Sequence, residues 1–229
     1  MAEAPPALNP AVERRLYLVR HAETDALTVD GFMHCEDPIP LTARGVEQAE
    51  ALGRVFAGIA ASEVHASPMD RTAHTARILA GEGRPLRFDL RLREISLGDF
   101  DGAHTREVFA AAPRWLADPD AALPGGESLN SVVARASAAL EEILAASDER
   151  DVVVVAHGGV NRGLVAHLLG MPMNRAHRIR QDWACVNVLD LAEGRWWIGA
   201  LNWTPAGVDE IAVARGALIG DAALRRLGR

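Results

Sequence analysis

The chain has 229 residues, of which 49% are hydrophobic and 24% are charged, and its formal net charge is −7. This composition is typical of a folded globular protein, and the negative net charge argues against a nucleic acid or a membrane surface as the partner. All 24 basic residues are arginine, which excludes a Schiff-base lysine and the lysine of a Walker loop.

Strands and helices alternate along the chain with short turns between them, a pattern typical of an α/β sheet covered on both faces. The predicted strands are RLYLVRH, EVHASP, LRFDLRL and DVVVVAHG, and then a hairpin, ACVNVLDLAEGRWWIGALN, that turns at Glu193 and Gly194. The unbroken β-branched run from Val152 to Val155 predicts a central strand. The predicted helices are TARGVEQAEALGRVFAGI, DRTAHTARILAGEG, HTREVFAAAPRWLAD, SLNSVVARASAALEEILAAS with Ser128 as its N-cap, and GVNRGLVAHLLG.

No repeat or break in composition divides the chain, so we predict one domain over residues 15–203. Within it, the segment at about 99–127 is polar and rich in proline and glycine in places, which is typical of a lid over one end of the sheet. Residues 204–229 predict a C-terminal helical extension of the same domain. This extension either caps the domain or meets a second subunit, so a monomer and a homodimer both stay open.

The two cysteines and the leader bear on location. Cys35 and Cys185 are far apart and make neither a CxxC unit nor a disulfide framework, which favours a reducing, cytoplasmic setting. Residues 1–14 contain no apolar h-region, and no stretch of about 18 apolar residues occurs later. We therefore expect a disordered leader over 1–14 and a protein that is neither exported nor inserted in a membrane.

Charged and imidazole side chains follow the ends of the predicted strands. In open α/β sheets ligands bind at the carboxyl ends of strands, so residues from distant stretches can converge on one crevice. Two guanidinium groups can hold a dianionic phosphoryl group, and a neutral imidazole can attack its phosphorus in line. A carboxyl group can give the leaving alkoxide its proton if burial raises its pKa. The residues in question are Arg20, His21, Arg71, Glu94 and His157.

The motifs around these residues resemble those of one known family. RHAET resembles the RHG(E/Q)T signature of the histidine phosphatase superfamily, which has the phosphoglycerate mutase-like fold. Five further segments resemble the later motifs of that family in the same order: PLTARGVEQA, SPMDRTAHTA, LREISLGDFDG, PGGES and VVAHGG. Together they span roughly residues 16 to 170. The resemblance implies a three-layer α/β/α sandwich with a mostly parallel central sheet.

The resemblance also implies a role for each matching residue. His21 would be the phosphorylated nucleophile, and Glu94 would be the general acid and base. Arg20, Arg71 and His157 would complete the catalytic site and bind the phosphate. Thr24 would lie at the floor of this pocket, and Gly158 would offer its backbone amide. The implied activity is metal-independent hydrolysis of a small phosphorylated metabolite through a phosphohistidine, with no cofactor.

The sequence departs from the family pattern at two positions, and it contains one cluster of residue types that can bind metals. Ala22 stands where the family usually has glycine, which is a small-for-small change. Leu27 stands where the family often has an asparagine, so we expect one phosphate contact to be missing. The cluster HCED at His34 to Asp37 suggests metal ligands, but adjacent residues cannot all face one ion, and we predict no metal site.

Three activities are compatible with these motifs. The compact turn REISLGDFDG resembles the phosphatase branch of the family, which makes a phosphomonoesterase the first expectation. The mutase branch usually has a tyrosine in this turn and a longer insertion after it, whereas the only tyrosine here is Tyr17. Phosphoglycerate mutase-type phosphoryl transfer is therefore the second expectation. Leu27 motivates the third, a weakened member that binds a phosphorylated ligand without turnover.

Two predictions concern glycine and tryptophan positions. PGGES is expected to form a tight turn before a capped helix, with Gly126 supplying an unusual backbone angle. Trp183, Trp196, Trp197 and Trp203 are expected to serve core and hairpin packing.

Overall fold

The structure is a computed structural model that describes residues 11–25, 31–36 and 38–205, apart from the side chains of 109 and 112–116. Most of the predicted leader, Leu27 and nearly all of the predicted C-terminal extension lie outside these residues. None of the described helices is both long enough and apolar enough to cross a membrane.

The described residues contain a six-stranded sheet with the order β3-β2-β4-β1-β5-β6. Strands β3, β2, β4 and β1 run parallel, β5 is antiparallel to β1, and β6 is antiparallel to β5. The strand that contains the β-branched run lies between β2 and β1, as the prediction of a central strand requires. The bounds are β1 Arg14–Arg20, β2 Val64–Ala66, β3 Leu86–Phe88, β4 Asp151–Ala156, β5 Val186–Ala192 and β6 Arg195–Trp203.

Five α-helices of the described residues match the predicted helices. The side chain of Thr42 caps the first one by accepting from the Gly45 N–H at 2.9 Å, and Ser128 caps the fourth by accepting from the Ser131 N–H at 3.1 Å. The helices are α1 Ala43–Phe56, α2 Asp70–Ala80, α3 Thr105–Ala117, α4 Leu129–Ala146 and α5 Gly158–Leu168. Short 3-10 turns lie at Leu90–Leu92, Gly98–Phe100 and Met173–Arg178.

Side-chain alternation along the central strands divides the core into two layers. Leu16 and Leu18 of β1 pack in the cluster that contains α4 and α5 residues, whereas Val19 packs in the cluster that contains α1 and α2 residues. Because successive strand residues point to opposite faces, one strand supplies both cores. The arrangement is the predicted three-layer α/β/α sandwich with a mostly parallel sheet.

The third predicted strand is shorter than expected. β3 ends at Phe88, and the side chain of Asp89 then accepts from the Arg91 N–H at 2.8 Å, which starts a 3-10 turn. Aspartate bonds its own following backbone in this way and competes with strand pairing. Glu94 consequently follows a turn rather than a strand end.

The PGGES loop packs closely, backbone against backbone, on residues 96–98. The positive φ falls on Gly125, at 69°, and not on Gly126 as expected. Gly126 is needed for another reason, because a Cβ there would lie 2.7 Å from the Ser96 carbonyl oxygen. The loop packs so closely on the turn at Gly98 that a Cβ on Gly98 would collide with the Pro124 carbonyl. The role of residues 99–127 as a lid stays a prediction.

Candidate active site

The carboxyl ends of β1 and β4 bring two histidines together. Arg20 pairs with Ala156 at the ends of these parallel strands, and the His21 N–H donates to the Ala156 carbonyl at 3.0 Å. His157 follows directly as the N-cap of α5. The two imidazole rings are 5.2 Å apart between centroids, at 62°. The parallel register therefore places His21 beside His157, although 135 residues separate them in the chain.

His21 is held as a neutral imidazole with a defined free nitrogen. Its Nδ1 lies 2.9 Å from the Ala22 carbonyl oxygen. A carbonyl only accepts, so Nδ1 carries the proton and the lone pair is on Nε2. Burial, followed by the charges of Arg20 and Arg71, lowers the pKa of His21 well below its usual value. At neutral pH this ring is uncharged, so its Nε2 lone pair is able to act as a nucleophile.

Arg20 is a buried cation whose Nε is an open donor. Its NH1 donates to the Gln181 carbonyl at 2.6 Å, and its guanidinium carbon lies 3.7 Å from the centroid of the Trp183 ring. Its Nε has no hydrogen-bond partner among the residues that the structure describes. Burial lowers the pKa of Arg20 to about 10, so the group stays charged at neutral pH. A buried cation with an open N–H is suited to an anionic ligand.

His157 presents a second open nitrogen. Its Nε2 lies 2.9 Å from Ser67 Oγ, and its Nδ1 is buried without a partner within the described ranges. Burial, with Arg71 as the largest charge effect, lowers the pKa of His157 well below its usual value. If the Ser67 hydroxyl donates to Nε2, the proton of the neutral ring lies on Nδ1 and can be donated to a ligand.

Arg71 approaches the two histidines from another helix. It lies in the first turn of α2, is almost completely buried, and donates from NH2 to the Cys35 carbonyl at 2.7 Å. Its charge contributes to the lowered pKa of both His21 and His157. The second predicted arginine is therefore close to both rings.

Glu94 reaches the same cluster through the start of α5. Its Oε2 accepts from the Gly159 N–H at 3.1 Å, two residues after His157, and its Oε1 accepts from the Ile95 N–H at 3.0 Å. Its charge also acts on Arg20. The structure thus brings together all five residues that the sequence singled out for catalysis.

Two predicted ligand residues have less direct evidence. Thr24 is buried three residues after His21, and its backbone forms an isolated antiparallel β-bridge with Leu41. Gly158 lies against Arg20, because a Cβ there would be 3.3 Å from Arg20 Nε. The phosphate contacts of Thr24 and Gly158 stay predictions.

The loop after His21 is fixed by its neighbours. Thr75 Oγ1 accepts from the Ala22 N–H at 3.1 Å, and Thr42 donates its hydroxyl to Glu23 at 2.9 Å and its N–H to the Glu23 carbonyl at 3.0 Å. A Cβ on Gly45 would collide with that carbonyl. These bonds hold the backbone around His21 in one conformation.

Arg135 organises the turn that carries Glu94, and the sequence did not single it out. From α4 it donates to the carbonyls of Arg91, Arg93 and Glu94, at 2.6, 2.8 and 3.1 Å. It also binds both oxygens of Glu127, at 2.9 Å each. Glu127 belongs to PGGES, so the Arg135 guanidinium bonds this loop to the Glu94 turn.

Trp183 and Ser67 were also missed as parts of the site. Trp183 stacks on Arg20 and lies 5.0 Å from His21 between ring centroids, so it does more than pack in the core or hairpin. Ser67 lies in the quoted SPMDR segment, where only Arg71 was assigned a role. Among the described residues, no group of three or more His, Cys, Asp or Glu is placed to hold a metal ion.

The family comparison agrees with this geometry. The profile described as the histidine phosphatase superfamily (branch 1) matches residues 16–204. The chain belongs to the histidine phosphatase superfamily. Its phosphoglycerate mutase-like architecture and the family that the motifs resemble are thereby confirmed.

Relatives of this chain include proteins that are named as phosphatases and proteins that are named as phosphoglycerate mutases. An adenosylcobalamin/alpha-ribazole phosphatase of Escherichia coli K12 is 31% identical over 201 residues, 85% of this chain and 98% of that protein. A protein of Salmonella paratyphi C named "Probable phosphoglycerate mutase GpmB" is 29% identical over 188 residues, 80% of this chain and 87% of that protein.

A solved structure supports the fold independently. The mycobacterial glucosyl-3-phosphoglycerate phosphatase superposes with a TM-score of 0.75 at 31% identity, covering 83% of this chain and 99% of that one. The phosphatases among the relatives are named for phosphorylated small metabolites.

Proposed function

We propose that this superfamily member is a phosphomonoesterase that acts on a small phosphorylated metabolite, with His21 as its nucleophile. The observation that carries the proposal is the neutral His21 ring, with its Nε2 lone pair, among two buried arginines. The names of the phosphatase relatives support the same substrate class for this chain.

The phosphoryl group would be held by the open donors of the site. Arg20 Nε and His157 Nδ1 donate to its oxygens, and Arg71 adds a second guanidinium. The N-terminus of α5, which begins at Gly158, contributes the positive end of a helix dipole. Together these groups neutralise the charge that spreads over the equatorial oxygens during transfer.

The reaction then proceeds in two displacements at phosphorus. Nε2 of His21 forms a bond to phosphorus while the bond to the ester oxygen breaks, and Glu94 in its acid form gives the leaving alkoxide a proton. Water next attacks the phosphohistidine and transfers a proton to the Glu94 carboxylate. Inorganic phosphate leaves, and both groups return to their starting states.

The decisive experiment compares histidine variants on p-nitrophenyl phosphate. His21→Ala is expected to abolish hydrolysis, whereas His74→Ala, at an exposed position of α2, leaves the rate unchanged. Rapid acid-free quenching with labelled substrate should trap base-stable, acid-labile phosphate on His21. Equal rates for wild type and His21→Ala, or label on another residue, would overturn the assignment.

The mutase-named relatives support a second candidate, phosphoryl return to the substrate before water attacks. Incubation with 3-phosphoglycerate and a trace of bisphosphate primer separates the two. Slow or absent formation of 2-phosphoglycerate, together with phosphate release, is expected. Rapid isomerisation would reverse the ranking. Binding of inorganic phosphate without any turnover on a panel of phosphorylated metabolites would instead indicate the weakened member.

A further inference from the structure

Trp183 forms an aromatic face over the cation of the nucleophile's strand end. The Arg20 guanidinium carbon lies 3.7 Å above its ring, and the His21 centroid lies 5.0 Å from it. Arg20 and His21 are both buried, whereas Trp183 is half-buried. The indole therefore contacts both buried residues while part of its own surface remains exposed to solvent.

The chain around Trp183 is anchored to both residues that the indole contacts. Gln181 accepts from Arg20 NH1 at 2.6 Å, Cys185 accepts from the Arg20 N–H at 2.9 Å, and the Ala184 N–H donates to the His21 carbonyl at 3.1 Å. Ala184 has a φ of 55°, a conformation that residues other than glycine seldom adopt. This backbone bend is retained directly beside the indole.

Side-chain bonds make the same segment rigid. Asn187 and Gln181 exchange amide hydrogen bonds at 2.8 and 2.9 Å, and both are buried. Asn202 donates to the Asp182 carboxylate at 2.7 Å and accepts from its N–H at 2.6 Å. Because the residues on both sides are fixed, Trp183 has little freedom to leave the guanidinium.

The single bond from NH1 to Gln181 does not define the plane of the Arg20 guanidinium. A group held at one N–H can still turn about that bond, and its open Nε would then point in several directions. Stacking on an indole fixes the plane and excludes water from one face, which strengthens the attraction between the cation and an anion. Gly158 limits the guanidinium elsewhere, since a Cβ there would lie 3.4 Å from its central carbon.

We infer that Trp183 is a positioning residue that orients Arg20 for phosphate and so determines the affinity of the site for the phosphoryl group. The inference rests on the proposed function, because it assumes that Arg20 binds phosphate. It assigns to the 181–185 segment a part in substrate binding in addition to its part in the fold.

The test uses three variants of the full chain. Trp183→Leu keeps apolar bulk without a π-face, and Trp183→Phe keeps a smaller ring. Trp196→Leu is the matched control, because Trp196 is also half-buried but pairs with Leu191 at the far end of the sheet. Each is measured for kcat and KM with p-nitrophenyl phosphate and for the Ki of inorganic phosphate.

Loss of the stacked ring should raise KM and Ki together by about 5- to 30-fold in Trp183→Leu, the range of a desolvated cation–π contact. Trp183→Phe should stay within about 3-fold of wild type, and Trp196→Leu should be unchanged. An unchanged Ki in Trp183→Leu overturns the inference, as does equal damage from phenylalanine and leucine.

A direct binding readout separates this inference from the proposed function. The Kd of inorganic phosphate, measured by isothermal titration calorimetry, should rise by about 5- to 30-fold in Trp183→Leu, stay within about 3-fold of wild type in Trp183→Phe, and be unchanged in Trp196→Leu. This measurement needs no turnover. If the wild type is inactive but phosphate affinity still falls in Trp183→Leu, only the proposed hydrolase activity is refuted. Full hydrolysis with an identical Kd in all variants would refute only the role of Trp183, and Trp183→Met takes the place of Trp183→Leu if the latter does not fold.

Discussion

Replacing Gly159 by alanine should displace Glu94, the proposed general acid, while leaving His21, the proposed nucleophile, in place. A Cβ at Gly159 would lie 2.5 Å from Glu94 Oε1, whereas ordinary contact begins at 3.4 Å, so the carboxylate has to move by about 0.9 Å. That movement also breaks the 3.1 Å bond from the Gly159 N–H to Oε2. The atoms nearest to this methyl group belong to Glu94 and Ile95, and not to His21 or Arg20.

The cost should appear in catalysis and not in folding. The colliding atom is the end of a flexible side chain, and alanine is favoured over glycine inside a helix by about 0.5–1 kcal/mol, so Tm should not fall. A misplacement of this size costs on the order of 100-fold when proton donation limits the rate. The loss depends on how much the leaving group needs its proton.

Two substrates measure this dependence. With glycerol 2-phosphate, whose alkoxide needs protonation, kcat/KM of Gly159→Ala should fall about 100-fold, while with p-nitrophenyl phosphate it should fall only about 3-fold. Gly83→Ala is the matched control, because a Cβ there meets nothing within 4 Å. Equal losses on both substrates, or no loss on either, would refute the role of Glu94 as the proton donor.

Two further changes test the surroundings of the site. Arg135→Lys keeps the charge but removes the fork that bonds the Glu94 turn, so urea denaturation should show a loss of about 1–3 kcal/mol in the free energy of unfolding, with no loss for exposed Arg77→Lys. Because the folded protein depresses the pKa of His21 and His157, the unfolded chain takes up protons first as the pH falls below about 6.5. Tm should therefore drop between about pH 7.5 and about pH 5.5, and less so in His157→Asn; a flat profile would contradict the buried neutral rings.

Local pattern was sufficient to predict most of the elements and to group the candidate site residues. The β-branched run from Val152 to Val155 predicts a central strand because a strand buried on both faces needs apolar side chains at every position. Strand ends carry polar residues to one edge of a parallel sheet, which is why Arg20, His21 and His157 could be grouped before the structure was known. Ser128 was predictable as a cap because capping depends on residues three apart.

Two features of the folded chain differ from the predictions made from the sequence: the end of β3 and the position of the positive φ in the PGGES loop. The side chain of Asp89 bonds the backbone that follows β3, which ends early, and the positive φ falls on Gly125, whereas Gly126 packs closely against the Ser96 carbonyl. Neither outcome follows from composition. The bond from the Arg91 N–H to Asp89 is local and competes with strand pairing, whereas the contact of Gly126 with Ser96 joins segments that are distant in the sequence, and the pattern of one segment does not contain it.

By itself, the sequence singled out the residues that are proposed to perform the chemistry, because their types and the motifs that contain them are local properties. Only the folded chain determined their states: the proton of His21 lies on Nδ1 because a carbonyl is 2.9 Å away, and its pKa is lowered because burial and two arginines surround it. The support of Arg20 by Trp183 was likewise decided by folding. The two residues are 163 positions apart, and no periodicity or motif encodes a contact at that separation.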